Sequence, residues 1–261
     1  MQNNSIDHGR TFDWGKTSQS YAKYRDIYPE EFYKRILSAG IGLPGQKILD
    51  IGTGTGVLPR HMAQYGASFT GIDLSENQIA QARRLTEEAG LQIDYLTCPA
   101  EKMDFADSSF DAVTACQCFW YFDKAILLPV ISRVLKPGGR FCILAMAWLP
   151  EEDPIAKASE ELVLHYNPDW TGGRMKRQLL SPPPWGREWF ETERAETFDL
   201  QVPFTRESWN GRMRACRGVE ASLSLEQVAN FEKEHLDLLK RTVPERFHIL
   251  HQATMLVLRK K

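Results

Sequence analysis

The sequence predicts an α/β protein built on a doubly wound, mostly parallel seven-stranded sheet, and three observations carry that expectation. Short β-branched or aromatic runs alternate with helical ones from Gly45 to Leu149, the pattern that strand–helix–strand crossovers impose. Helix-boundary signals fall between the runs. A glycine cluster, "DIGTGTG" at 50–56, follows the first strand directly, where a doubly wound sheet places its ligand loop.

"KILDI" (47–51) reads as the first strand and 56–66 as the helix after it. "SFTGIDL" (68–74) is the second strand, followed by a helix over 75–90. Ser75 with Gln78 makes a capping box at its start, and Gly90 offers a left-handed exit. "IDYLTC" (93–98) and "FDAVTACQCF" (110–119) are the third and fourth strands. In the helix near 124–135, Ile126, Leu127, Val130, Ile131, Val134 and Leu135 recur at helical spacing before "KPGG" ends it. Pro129 is expected to kink that helix or to move its start to Leu128. "GRFCILAMAW" (139–148) is the fifth strand, "TFDLQVPF" (197–204) the sixth and "FHILHQATMLVLRKK" (247–261) the last, with a polar helix near 224–241 between the final two.

Two segments stand outside this alternation. Residues 1–45 form a leader with a helical pattern at 29–39 and the aromatics Phe12, Trp14, Tyr21, Tyr24 and Tyr28. Residues 150–195, after the fifth strand, carry "SPPPW" and the rings of Trp170, Trp185 and Trp189. A linker has no need of so many large apolar rings, so this reads as an ordered insertion.

Composition narrows the function. A formal net charge of −2 on 261 residues lacks the basic excess that attracts phosphate backbones, so no nucleic-acid partner is expected. No apolar run approaches the roughly 20 residues that span a bilayer, and "MQNNSIDHGR" lacks a secretory core. A cytoplasmic protein without a membrane partner, monomeric or homodimeric, is the expectation. Five cysteines without a C-x-x-C pair read as reduced, mostly buried thiols, with no metal site. Cys116 and Cys118 would share one face of a strand.

The glycine loop discriminates among ligands. A dinucleotide loop needs G-x-G-x-x-G, whereas here Gly52, Gly54 and Gly56 alternate and Val57 stands where the third glycine would fall. Val57 and Leu58 also cannot replace the Lys and Ser/Thr of a P-loop. Asp50 at the strand end would repel a polyphosphate and suits a cation. Asp73 closes the next strand, where an acid accepts the hydroxyls of a ribose. A nucleoside with a cationic, phosphate-free tail meets these demands, and S-adenosylmethionine is such a molecule.

With "LDIGTGTG" (49–56), "GIDLS" (71–75), "AEKMDFADSSFDAV" (100–113) and "RVLKPGG" (133–139) in this order, the chain resembles the class I S-adenosylmethionine-dependent methyltransferases. It is particularly similar to the small-molecule group that includes ubiquinone/menaquinone and trans-aconitate methyltransferases. The resemblance covers residues 15–148 and implies a Rossmann-like methyltransferase fold. It further implies that Gly52, Gly54 and Gly56 line the methionine part, that Asp73 binds ribose with Leu74 beside the adenine, that Ala100 and Glu101 meet the adenine edge, and that Gln117 faces the cofactor. The expected division is a helical cover (1–45), a cofactor-binding core (46–149), an acceptor-site insertion (150–195) and the C-terminal part of the sheet (196–261).

Methyl transfer demands alignment and exclusion of water. Trp120 and Tyr121 in "CFWYFD" have the composition of an aromatic mouth. The family counterpart of that run often carries a histidine, which is missing here. Tyr21, Arg25 and His165 are the catalytic candidates, and Arg174, Trp209 and Arg212 join the two aromatics as acceptor-binding candidates. Plainer readings stand beside these: Asp50 as a turn cap, Glu101 as a solvated acid, Tyr21 as packing, Arg25 as an ion pair, His165 as an exposed helix residue, Trp209 as core, and the arginines at 206, 212, 214 and 217 partly as a solvated face. The recurring arginines suit an acceptor that arrives as a carboxylate. The alternatives to a small-molecule methyltransferase are a cofactor-binding regulatory or degenerate module without turnover, and a methyltransferase acting on RNA or protein.

Overall fold

The computed structural model describes residues 6–13, 15–180 and 183–261. Trp14 and residues 1–5 of the expected cover, and Ser181 and Pro182 of the expected insertion, lie outside the described residues. The seven strands are β1 (Lys47–Ile51), β2 (Ser68–Asp73), β3 (Asp94–Thr97), β4 (Phe110–Cys116), β5 (Leu135–Trp148), β6 (Phe190–Thr205) and β7 (Arg246–Lys260), in the order β3-β2-β1-β4-β5-β7-β6. Pairings from β3 through to β5 are parallel. The strand that closes the chain reverses. Lys261 N–H donates to Trp189 O and Arg206 N–H to Glu245 O, so each end of β6 meets the opposite end of β7.

The order turns back at β1, which pairs with β2 on one side and β4 on the other. Right-handed crossovers therefore wind onto opposite faces on the two sides of β1. The crevice beyond the carboxyl ends of β1 and β4 is the topological switch point where such sheets bind ligands.

The helices are α1 (Ser18–Tyr24), α2 (Glu30–Ser38), α3 (Val57–Met62), α4 (Glu76–Glu88), α5 (Lys124–Val134), α6 (Pro154–Tyr166), α7 (Arg206–Arg214) and α8 (Leu225–Thr242). Ser75 caps α4 by accepting Gln78 N–H, and Gly90 leaves with φ of 65°. Asp123 caps α5 through Ala125 N–H, and the helix runs through Pro129 without moving its start to Leu128. β6 begins at Phe190, ahead of the expected 197. Its first half alternates exposed residues with half-buried ones, and the half-buried set includes the charged Arg194 and Glu196, as an edge strand tolerates, so it gives no apolar signal.

The chain forms two compact units. The first comprises the described residues of Met1–Ile27 with Ala147–Arg177 and Asp199–Gln252, and the second Tyr28–Met146, Gln178–Phe198 and Ala253–Lys261. These boundaries differ from the expected ones: the insertion divides at residue 177 between the units. In the second unit, Leu49, Ile72, Val113, Leu127, Phe141 and Phe190 belong to one buried apolar cluster. In the first, a polar network ties three helices together. Trp209 Nε1–H donates to Ser159 Oγ at 2.9 Å, and His235 lies 2.9 Å from Ser159 Oγ and 2.8 Å from Asn210 Oδ1. Burial pushes the His235 pKa down to about 3, so the ring is neutral. No helix among the described residues is long and apolar enough to cross a membrane.

Candidate functional site

The second unit brings together every residue expected to hold the cofactor. β1 ends at Ile51, and Gly52, Gly54 and Gly56 follow with φ of 63°, 56° and 74°. All three occupy the left-handed region that disfavours side chains. At Gly52 a Cβ would lie 2.8 Å from Cys118 Sγ, and at Gly56 it would lie 2.3 Å from the Tyr95 hydroxyl. At these two positions the close approach is therefore made by the protein itself. Cys118 Sγ–H donates to Ile51 O at 3.1 Å, and burial lifts its thiol well above the ordinary range.

Asp73 sits at the carboxyl end of β2. Its Oδ2 accepts Gly54 N–H at 3.0 Å and its Oδ1 accepts Ser75 N–H at 2.9 Å. Burial raises its pKa, with these amides and Leu74 N–H acting in the opposite sense. An ionised carboxylate has about four acceptor positions, so with three amides on it one remains for a hydroxyl donor. Leu74 beside it is 51% exposed, an apolar platform at the strand end.

Asp50 departs from the expectation of an acid facing a cation. It is 1% exposed and accepts Thr114 Oγ1–H at 2.6 Å across the β1–β4 pair. Burial raises its pKa to about 6, partly offset by the Thr114 bond. The carboxyl acts from beneath the loop.

Ala100 is buried at the start of a 3-10 turn, and Glu101 Oε1 accepts Asp123 N–H at 3.1 Å. Gln117 follows β4 with φ of 62°, a conformation costing about 1 kcal/mol for a residue with a Cβ. Its N–H donates to Leu144 O at 2.9 Å and its side-chain amide donates to Met146 O. Because Gln117 breaks the strand, Cys118 lies outside β4 and shares no strand face with Cys116. All five cysteines are free thiols. Trp120 and Tyr121 follow in the same turn, with ring centroids 5.6 Å apart.

The remaining acceptor and catalytic candidates belong to the first unit. Tyr21 OH accepts from Arg25 Nη2 at 3.2 Å, and that guanidinium lies 4.5 Å from the Tyr21 ring centroid. Arg212 is 4% exposed with its guanidinium 4.8 Å from the Trp148 ring centroid, and Arg217 forms a buried ion pair with Asp7. Neither arginine is part of a solvated face. Trp209 is 0% exposed in the core of the unit. His165 and Arg174 are exposed; Arg174, at φ 58°, gives its backbone N–H to Glu160 Oε2.

Sequence reasoning missed Tyr95, Thr114, Cys118 and His251. For Thr114 the signal was present, because β1 and β4 are the strands flanking the switch point, but its position opposite Asp50 needed the register. The others carry no local motif.

Comparison with known proteins bears on the family and the fold. The family model described as a methyltransferase domain matches residues 49–143. The ubiquinone biosynthesis O-methyltransferase of Pseudomonas aeruginosa is 36% identical over 180 residues, 67% of this chain and 76% of the relative. Among solved structures, a phosphoethanolamine N-methyltransferase of Haemonchus contortus, complexed with phosphomonomethylethanolamine and S-adenosylhomocysteine, has a TM-score of 0.54 at 20% identity, covering 94% of this chain and 57% of its own. The [4+2]-cyclase SpnF has a TM-score of 0.57 at 18% identity, covering 95% and 93%. At such identities these two structures speak for the fold alone.

Proposed function

The chain belongs to the small-molecule group of class I S-adenosylmethionine-dependent methyltransferases, and from that premise we propose that it methylates an oxygen of a small organic acid. The cofactor is S-adenosylmethionine, which supplies an electrophilic methyl group on a cationic sulfur. The residues present fit it. Asp73, already fixed by Gly54 N–H and Ser75 N–H, would bind the ribose through its remaining acceptor position. Leu74 and Ala100 would flank the base with Glu101 at its edge, the glycine backbone and Gln117 would border the methionine part, and Asp50 would add negative potential from below.

The acid is supported chiefly by one observation: Arg212 carries a guanidinium at 4% exposure against the Trp148 ring. A planar guanidinium pairs with a carboxylate bidentately. Arg25, steadied by Tyr21, contributes a second positive charge to the same unit. An ionised carboxylate needs no base, and burial holds the pKa of both His235 and His251 near about 3, too low for an effective one. Incubation with methyl-labelled cofactor and a fractionated pool of small metabolites, followed by mass identification of the labelled product, tests this. A methyl ester supports it. Label on nitrogen, carbon or a macromolecule refutes it, and cofactor binding without label transfer favours a module without turnover.

A further inference from the structure

His251 is a buried ring whose hydrogen bonding is half complete. It is 0% exposed on β7, and its Nδ1 lies 3.0 Å from Ile249 O. A carbonyl only accepts, so Nδ1 carries the proton and Nε2 holds a lone pair. Nε2 is buried and finds no hydrogen-bond partner among the described residues. An acceptor left in that condition is destabilising, and a donor brought to it is correspondingly favoured.

Its surroundings are aromatic and positive. Trp148 and Trp209 meet the ring edge-on at 6.3 and 6.4 Å, and Phe204 stacks at 6.2 Å. Arg212 covers the face of that same Trp148. α1 comes close to α7 because Gly211 lacks a side chain: a Cβ there would lie 2.4 Å from the Tyr24 ring. Arg25 caps this end of α1. The charges of Arg212 and Arg25 both act on His251 and on Cys216.

We propose that Arg25, Arg212 and His251 form a recognition subsite for a small carboxylic acid that carries a hydroxyl group on a nearby carbon. This rests on reading the acceptor as an acid. The guanidiniums take the carboxylate, and His251 Nε2 accepts a hydrogen bond from the hydroxyl. A plain acid would satisfy the arginines and leave the lone pair buried and unpaired. In a site shut off from water that difference excludes the analogue lacking the hydroxyl by about ten- to a hundredfold.

Titration calorimetry on the full chain, saturated with S-adenosylhomocysteine, tests it with three matched pairs: lactate and propionate, malate and succinate, salicylate and benzoate. The expected result is a hydroxy acid binding at least about tenfold tighter than its partner in one pair or more. Equal affinity within every pair, or no binding by any of the six, overturns the proposal. These wild-type measurements need no variant to fold. His251→Phe is expected to erase the discrimination and His251→Gln, which keeps an acceptor, to retain it. Arg212→Met, checked for a wild-type melting temperature, is expected to weaken both members of the pair at least about tenfold; unchanged affinity overturns the role given to the arginine. If hydroxy acids bind selectively yet none becomes a methyl ester, the subsite stands and the carboxylate-oxygen reading falls.

Discussion

Asp50→Asn isolates the cost of holding one carboxylate beneath the glycine turn. Burial raises the Asp50 pKa from 3.8 to about 6. The folded chain thus holds that proton more tightly than the unfolded chain does. The resulting stabilisation is complete below about pH 4 and disappears as the pH rises through about 6. A rise of roughly two in pKa, at about 1.4 kcal/mol for each, places the ionised side chain at a disadvantage of about 3 kcal/mol at neutral pH. Asn cannot ionise, and its carbonyl still accepts Thr114 Oγ1–H, 2.6 Å from Asp50 in the wild type. Urea unfolding of both proteins between about pH 4.5 and 7.5 should find the variant more stable by about 2–3 kcal/mol at the upper end, with the gap closing on acidification. Other titrating groups cancel in the difference. A gap independent of pH, or a variant less stable at neutral pH, refutes the reasoning. Binding gives a second readout, because a bound cation favours the ionised form. At about pH 6, S-adenosylmethionine should release more protons than S-adenosylhomocysteine, whose sulfur is neutral, and Asp50→Asn should remove that difference.

Asp73→Ala should weaken S-adenosylhomocysteine binding by about 1.5–3 kcal/mol in calorimetry, through loss of charge-assisted bonds to ribose and of the tie to Gly54 N–H; wild-type affinity would remove the ribose assignment. Gly52→Ala should lower stability by about 1–3 kcal/mol, because it adds left-handed strain to a clash with Cys118. Pairing it with Cys118→Ala should relieve the contact with Sγ and leave both the contact with Cβ and the strain, and strict additivity of the two in urea unfolding would mean that the new methyl and Sγ never meet. With a carboxylate acceptor and saturating cofactor, turnover should stay level from about pH 6.5 to 8.5, since such an acceptor is ionised well below that range. A rate rising through an apparent pKa near about 7 would point to a histidine base.

The parts of the cofactor site legible in the sequence are those whose chemistry is local. Gly52, Gly54, Gly56 and Asp73 announce themselves because a left-handed turn and an acid at a strand end are written in adjacent residues. Their positions at the carboxyl ends of β1 and β2 follow from strand periodicity alone. What stayed hidden depends on pairing across the sheet. Thr114 faces Asp50 only in the observed β1–β4 register, and burial there, against the opposing effect of that bond, raises the pKa of an acid expected to meet a cation to about 6. Cys118 and Tyr95 reach the glycine loop from elements distant in the sequence, and no pattern within either element reports the approach. The edge position of β6 hid its first half for a related reason, since charge is tolerated there without loss of pairing.

The first unit shows why arginines were visible and their roles were not. A run such as "ESWNGRMRACR" reads equally well as a solvated helix face, because helical spacing says which residues share a face and not what covers it. Packing decides the matter. Arg206 donates to Val243 O, Arg214 pairs with Glu232, Arg217 with Asp7, and Arg212 turns inward against Trp148. The first three tie elements of the unit to one another. Arg212 meets an aromatic wall shared with His251, whose Nε2 lone pair is buried and unmatched among the described residues. A bare acceptor held in an apolar enclosure beside positive charge does little for stability on its own. It becomes favourable when a ligand brings it a proton donor, and the charge beside it selects a ligand whose other end is negative. That is why the hydroxyl-bearing acid, and no plain anion, is the ligand whose chemistry completes both.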